Sequence, residues 1–427
     1  MFSVLRNAWK IPELRKKILY TLLLIVVFRF GSVIPVPWLN SDMLKELVNA
    51  NENTIFSIMD TFSGGSFSNA TIFAMGITPY INSSIIIQLL TVAIPALERL
   101  SKEGPEGRKK INAIVRWGTV VLGFIQAAGL YIGLQNTGGA SLVANESALT
   151  FFVIVLSFTA GTAFLMWLGE EITEKGIGNG ISMIIFAGIV SRIPSMAIAL
   201  WQNFHTNWIV LVAVVIGALL MITFVVMFNE AERRIPVQYA KRVVGRKMYG
   251  GQSTHIPIKV TMAGVIPIIF AMSIMSFPGT IVSLVNPNAT TGFMGWMKNF
   301  FSQSNPFYSI IYFILIVAFT YFYTAITFNP IEVANNMKKN GGFVPGIRPG
   351  KPTSDYIAKV VSRITLAGAM FLGVIAIIPI LLSLINPALA SVSIGGTSLL
   401  IVVGVALETV RQLESQMLMR HYKGFLE

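Results

Sequence analysis

Ionisable side chains set into hydrocarbon are the groups with which a membrane chain couples ions or breaks bonds, because each is costly there and persists for function. This sequence keeps them out of its apolar stretches. Glu98, Glu170, Glu171, Glu230 and Glu408 all fall at the ends of such stretches, so the deep carboxylate of a proton- or cation-coupled transporter is missing. Arg29 is the one charge placed deep, and snorkelling or pairing with a backbone carbonyl explains it more simply than transport does. His205, His255 and His421 lie in loops or the tail, with neither an HExxH pattern nor carboxylates at metal spacing. With no cysteine in the chain, thiolate metal sites, disulfides and Cys nucleophiles are excluded. GIRPGK at Gly346 to Lys351 lacks the Gly and the Ser or Thr of a phosphate loop, since Pro345 and Pro352 stand there. GIGNG at Gly176 to Gly180 follows an apolar helix rather than a strand. No catalytic residue, metal or cofactor is expected, and any energy source has to act from outside.

What remains is a scaffold, and it is a membrane one. The 427 residues are 54% hydrophobic and 12% charged, against about 25% charged in soluble domains. Stretches near the roughly 20 residues that cross a bilayer recur ten times: residues 18–34, 72–97, 117–134, 149–169, 181–200, 208–228, 262–285, 307–328, 364–385 and 388–407. The first follows Arg6, Lys10, Arg15, Lys16 and Lys17 but ends at Pro35 and Pro37 with no small-residue cleavage site, which predicts a retained helix rather than a removed signal.

Alternating the connections puts 28 of the 32 Lys and Arg residues on one side and only Lys45, Arg192 and Lys298 on the other, with Arg29 inside the first helix. By the positive-inside rule both termini are cytoplasmic. Arg192 and Pro194 interrupt the fifth stretch, but unless it crosses, the seven basic residues from Arg233 to Lys259 fall on the wrong side. Five helices per half means that the second half starts from the opposite side. Any repeat between residues 1–205 and 206–427 is therefore inverted, and inverted repeats put a pathway between the halves near the midplane.

Three segments depart from plain apolar helix. Phe62 to Glu98 mixes Gly, Ser, Asn and Pro into the start of a span. Such backbone survives at membrane depth only beside protein or a water-filled cavity, though an external loop leading into a packed helix reads the same way. Two loops, about 230–260 and 331–363, hold thirteen of the 32 basic residues. The first alternates Val, Tyr and Ile with Arg233, Arg234, Lys241, Arg242, Arg246 and Lys247, which fits a hairpin suited equally to acidic protein or RNA phosphate. The second carries GGFVPGIRPGKPTSDY, whose four Gly and three Pro predict a stiff, non-helical tip over 341–356 that displays Arg348 and Lys351. Contact with anionic lipid explains the charge of these loops but not that rigid display.

ITPYINSSIIIQLLTV, EKGIGNGISMIIFAGIV, ERRIPVQYAKR, AGVIPIIFA and NMKKNGGFVPGIRPGKPTSDYI resemble, in order and over the whole chain, the SecY family of preprotein-translocase channel subunits. The resemblance implies an all-α polytopic membrane protein, with ten transmembrane helices in two inverted five-helix halves around a central pore and a short re-entrant plug helix near residues 55–69. It implies a pore ring at Ile77, Ile81, Ile185, Ile189, Ile269 and Ile401, and a plug including Phe62, Gly64, Gly65, Ser66, Phe67 and Ser68. It places helices 2, 3, 7 and 8 at a lateral gate, where Gln88, Thr91, Gln126 and Ser273 line the seam. Its expected partners are SecE and SecG subunits, the SecA motor ATPase, the ribosome, signal peptides with their preproteins, and membrane lipids. An ion-coupled transporter and an intramembrane enzyme are the rival readings, and the missing carboxylate and nucleophile speak against each.

Overall fold

The computed structural model describes residues 2–50, 60, 63–138, 142–143, 147–204, 208–239, 242–244, 247–249, 253–285, 292–302, 305–385 and 390–423. Each of the ten predicted spans coincides with a helix. In chain order the helices are α1 (Phe2–Lys10), α2 (Pro12–Gly31), α3 (Ser41–Ala50), α4 (Thr78–Ala93), α5 (Pro95–Lys102), α6 (Pro105–Gly138), α7 (Ala148–Lys175) and α8 (Gly180–Phe204). They continue with α9 (Trp208–Glu230), α10 (Ile266–Val285), α11 (Gly292–Phe300), α12 (Pro306–Thr327), α13 (Pro330–Lys339), α14 (Lys351–Ile385) and α15 (Ala390–Lys423). The spans are α2, α4, α6 to α10, α12, α14 and α15.

Local chemistry sets the boundaries. Asn305 caps α12 by accepting from the Phe307 amide at 3.0 Å, and Asn329 caps α13 through Ile331 and Glu332. In both, proline takes the first turn, where its missing N–H costs nothing. The second span was expected to run over 72–97. Instead α4 stops at Ala93, Ile94 is extended ahead of Pro95, and the chain bends 101° into α5. Proline cannot continue the ladder, and it forces the residue before it out of helical backbone. Pro194, by contrast, sits inside an unbroken α8.

The largest apolar cluster lies between helices drawn from the whole chain, including Phe28 of α2, Ile85 of α4, Leu168 of α7, Met275 of α10, Ile316 of α12 and Val405 of α15, and a second gathers Phe67 with Leu130 of α6 and Phe158 of α7. Close approach depends on glycine. A Cβ on Gly161 of α7 would sit 1.9 Å from the Ile72 carbonyl oxygen, so the polar-rich approach to α4 lies directly on α7. On the membrane side, α9 buries little of its apolar surface inside the chain.

The expected hairpin is present, and it is part of a sheet. β1 (Glu232–Tyr239) pairs antiparallel with β4 (Ser253–Lys259), from Glu232 opposite Lys259 to Gln238 opposite Ser253. β2 (Arg242–Val244) and β3 (Lys247–Tyr249) form a two-stranded ribbon beyond it. β5 (Gly342–Phe343), from the second basic loop, joins the other edge of β1, with Tyr239 opposite Gly342. The two basic loops thus share one three-stranded sheet. Ile235, Val237, Ile258, Met337, Val344 and Ile357 are buried beneath it. Past β4, the Val260 amide donates to the Ala231 carbonyl at 3.0 Å, and Gly368 of α14 lies so close that a Cβ there would stand 2.4 Å from the Val260 oxygen.

Candidate functional site

The structure brings all six predicted ring isoleucines into the same buried cluster. Ile77 and Ile81 enter at the head of α4, Ile185 and Ile189 from α8, Ile269 from α10 and Ile401 from α15, each 1–6% exposed. The first two pairs are spaced i, i+4 and so share a helix face. A constriction walled by such side chains excludes ions by dewetting.

Against this cluster lies the predicted plug segment. Residues 55–59, 61 and Phe62 lie outside the described residues. Asp60 is helical, and from Ser63 to Ala70 the chain is a run of turns, since Gly64 at φ +65° and Gly65 at φ +86° adopt left-handed backbone through which a right-handed helix cannot continue. Ser66 and Phe67 are fully buried. The Ser68 amide donates to Asp60 Oδ1 at 2.8 Å, and the Ser68 hydroxyl donates to the Gly65 carbonyl at 3.1 Å. Gly64 meets α8 at Gly188, between Ile185 and Ile189, where a Cβ on Gly64 would stand 2.6 Å from the Gly188 Cα.

The four predicted seam residues are spread along three helices. On α4 the Gln88 amide donates to Ser84 Oγ at 3.2 Å and Thr91 Oγ1 to the Ile87 carbonyl at 2.7 Å, both half-buried. Gln126 of α6 is half-buried, and Ser273 of α10 is buried. α10 packs against both α4 and α6, but no hydrogen bond links one of the four to another.

On the opposite end, Arg233 and Arg234 are exposed on β1, and Arg234 Nε pairs with Glu232 at 2.7 Å. Arg242 lies in β2 and Lys247 in β3, while Lys241 and Arg246 lie outside the described residues. Arg348 is exposed on a turn bounded by Gly346 and Gly350, both with positive φ. Thr353 Oγ1 donates to the Arg348 carbonyl at 2.8 Å and fixes that turn to α14. The non-helical tip is shorter than predicted, because α14 begins at Lys351: Pro352 fits a first helical turn, where no amide is needed. Lys351 is exposed there. At the base of the sheet, burial first and then Arg411 lower the pKa of Lys259. Arg411 donates to the Asn229 carbonyl, and Thr261 Oγ1 to Asn229 Oδ1 at 2.8 Å, tying the sheet to α9 and α15.

Sequence reasoning missed Asp60, which is 1% exposed, and its ion pair with Arg192. A lone Asp beside a lone Arg far along the chain carries no pattern that announces a contact. Among the described residues no group of three or more His, Asp or Glu is placed to hold a metal ion.

The SecY family model matches residues 71–410. The chain belongs to the SecY family. Two relatives are full-length SecY translocase subunits, one from Halalkalibacterium halodurans at 45% identity over 436 residues and one from Bacillus subtilis at 46% over 439, each covering 100% of both chains. Among solved structures, a protein conducting channel superposes with TM-score 0.68 at 20% identity, covering 94% of this chain and 92% of its own. A SecY structure concerned with the plug domain, described as stabilising the closed state and maintaining a membrane seal, gives 0.65 at 20% identity with the same coverage. Canine Sec61 in a ribosome-channel complex gives 0.64 at 19%, again with 94% and 92% covered. The ten-helix architecture of the family is the architecture of this chain.

Proposed function

We propose that this SecY-family chain is the protein-conducting subunit of a translocase, passing unfolded preproteins across the cytoplasmic membrane and releasing apolar segments sideways into it. The observation that carries the reading is the convergence of Ile77, Ile81, Ile185, Ile189, Ile269 and Ile401 in one buried cluster, with the glycine-rich segment pressed against it. Such a ring seals against ions when dry, and flexible side chains yield around a passing peptide. Gly64, Gly65, Ser66, Phe67 and Ser68 form the plug with the residues before them, and α4, α6, α10 and α12 form the gate.

The chain performs no bond chemistry and draws its energy from outside. SecA and the ribosome dock on the sheet end through Arg348, Lys351, Arg233 and Arg234, with Lys241, Arg242, Arg246 and Lys247 extending that surface. SecE and SecG complete the complex. Both termini face the cytoplasm, and residues 1–205 and 206–427 are its halves. The test is reconstitution: vesicles containing this chain with SecE and SecA import a signal-bearing preprotein when ATP is added. Intact insertion without import defeats the proposal.

A further inference from the structure

The two charges that the topology leaves unexplained, Arg29 within the first helix and Arg192 across the fifth, both reach the segment before α4. Arg192 Nη1 lies 2.7 Å from Asp60 Oδ2, as an ion pair rather than an oriented hydrogen bond. The Asp60 side chain is 2% exposed and that of Arg192 30%. Arg29 Nη1 donates to the Gly64 carbonyl at 3.5 Å. Asp60 also organises the segment from within, accepting the Ser68 amide on Oδ1 and the Gly65 amide on its own carbonyl at 2.9 Å. Arg192 follows Ile189 by three residues on α8 and lies one turn beyond Gly188, on which Gly64 is packed. One side chain of α8 therefore holds the plug segment through charge, while the preceding turn of the same helix holds it by close backbone contact.

We infer that Asp60 and Arg192 are positioning residues that form an electrostatic latch and set how strong a signal must be to open the channel. The inference rests on the channel reading above. Lifting the segment away from α8 separates a buried carboxylate from its partner, and an unpaired charge in a poorly solvated site is costly. A strong signal peptide supplies that energy by binding the open state more tightly, and a weak one does not. The latch is thus a threshold. Gly64 contributes shape, Arg29 a weaker second tether, and the Asp60–Arg192 pair the charge-dependent part.

The experiment uses the reconstituted complex with two preproteins, one with an intact signal and one whose apolar stretch is interrupted by a charge. Asp60→Asn and Arg192→Gln each raise import of the weakened preprotein on the order of tenfold, the factor that about 1.4 kcal/mol gives. Both also raise resting ion conductance and leave import of the intact preprotein within about twofold. The reciprocal swap, Asp60→Arg with Arg192→Asp, restores discrimination towards the parent value, which a merely structural role for either residue does not predict. Arg192→Lys keeps the charge at the more exposed partner and retains most of the discrimination, so the inference stays open to refutation if the Asp60 variants fail to insert. Single variants that discriminate like the parent, or a swap no better than the singles, overturn the latch. Failure of the parent complex to import the intact preprotein overturns the channel reading instead.

Discussion

Arg348 shows how a single side chain can be displayed without being buried. Its turn is bounded by left-handed glycines and its carbonyl is held by Thr353, so the guanidinium projects from a fixed backbone. Arg348→Glu is expected to abolish SecA-driven import while the chain still inserts and resists protease as the parent does; unchanged ATP-driven import in vesicles removes Arg348 from the docking surface. For the ring, a photocrosslinker at Ile81 is expected to trap a stalled preprotein, and labelling of lipid alone would take that residue out of the path. Residue by residue, legibility was uneven. Isoleucine in an apolar helix packs or faces lipid by default, so periodicity does not pick the six out, and only the family motifs did. Arg192 was visible as an odd charge and Asp60 was not, and nothing in a linear pattern pairs residues so far apart.

At the level of elements, every span was legible from apolar length, but the end of α4 at Ala93 was not, because the expected span ran on through Pro95. The sheet was half legible. Alternating Val, Tyr and Ile announced β1 and β4, whereas β5 is two residues in a Gly/Pro-rich loop and has no period to read. What admits β5 is Gly342, at which a Cβ would stand 2.8 Å from the Tyr239 ring and 2.9 Å from Met337. Gly342→Val is therefore expected to part β5 from β1 at a cost of about 1–3 kcal/mol, the range of overpacking. Limited proteolysis should then cut the 341–350 turn faster while the spans stay protected. Equal cleavage rates would mean that the pairing does not hold the loop.

Over the whole molecule, charge was the most informative signal in the sequence, because alternating the ten connections assigns 28 of 32 basic residues to one side, and the positive-inside rule then gives an expected parity for every crossing. The inner packing was not legible in that way, since it depends on which helices meet, and α10 meets both α4 and α6. With no native cysteine to interfere, one cysteine on α4 and one on α10 at their contact are expected to block import when oxidised and to release it on reduction. Import that continues through the oxidised pair would show that these helices need not part.

The sheet and the bundle share a splice. β4 runs through Val260 and a short turn into α10, with the Val260 backbone lodged against α14 and Thr261 tied to α9. The chain therefore passes from the strands into α10 without a loose linker, so a bulky ligand held on the strands is expected to shift α10 relative to α4 and α6; an unchanged distance between labels on α10 and α4 would show that the strands and the helix move independently.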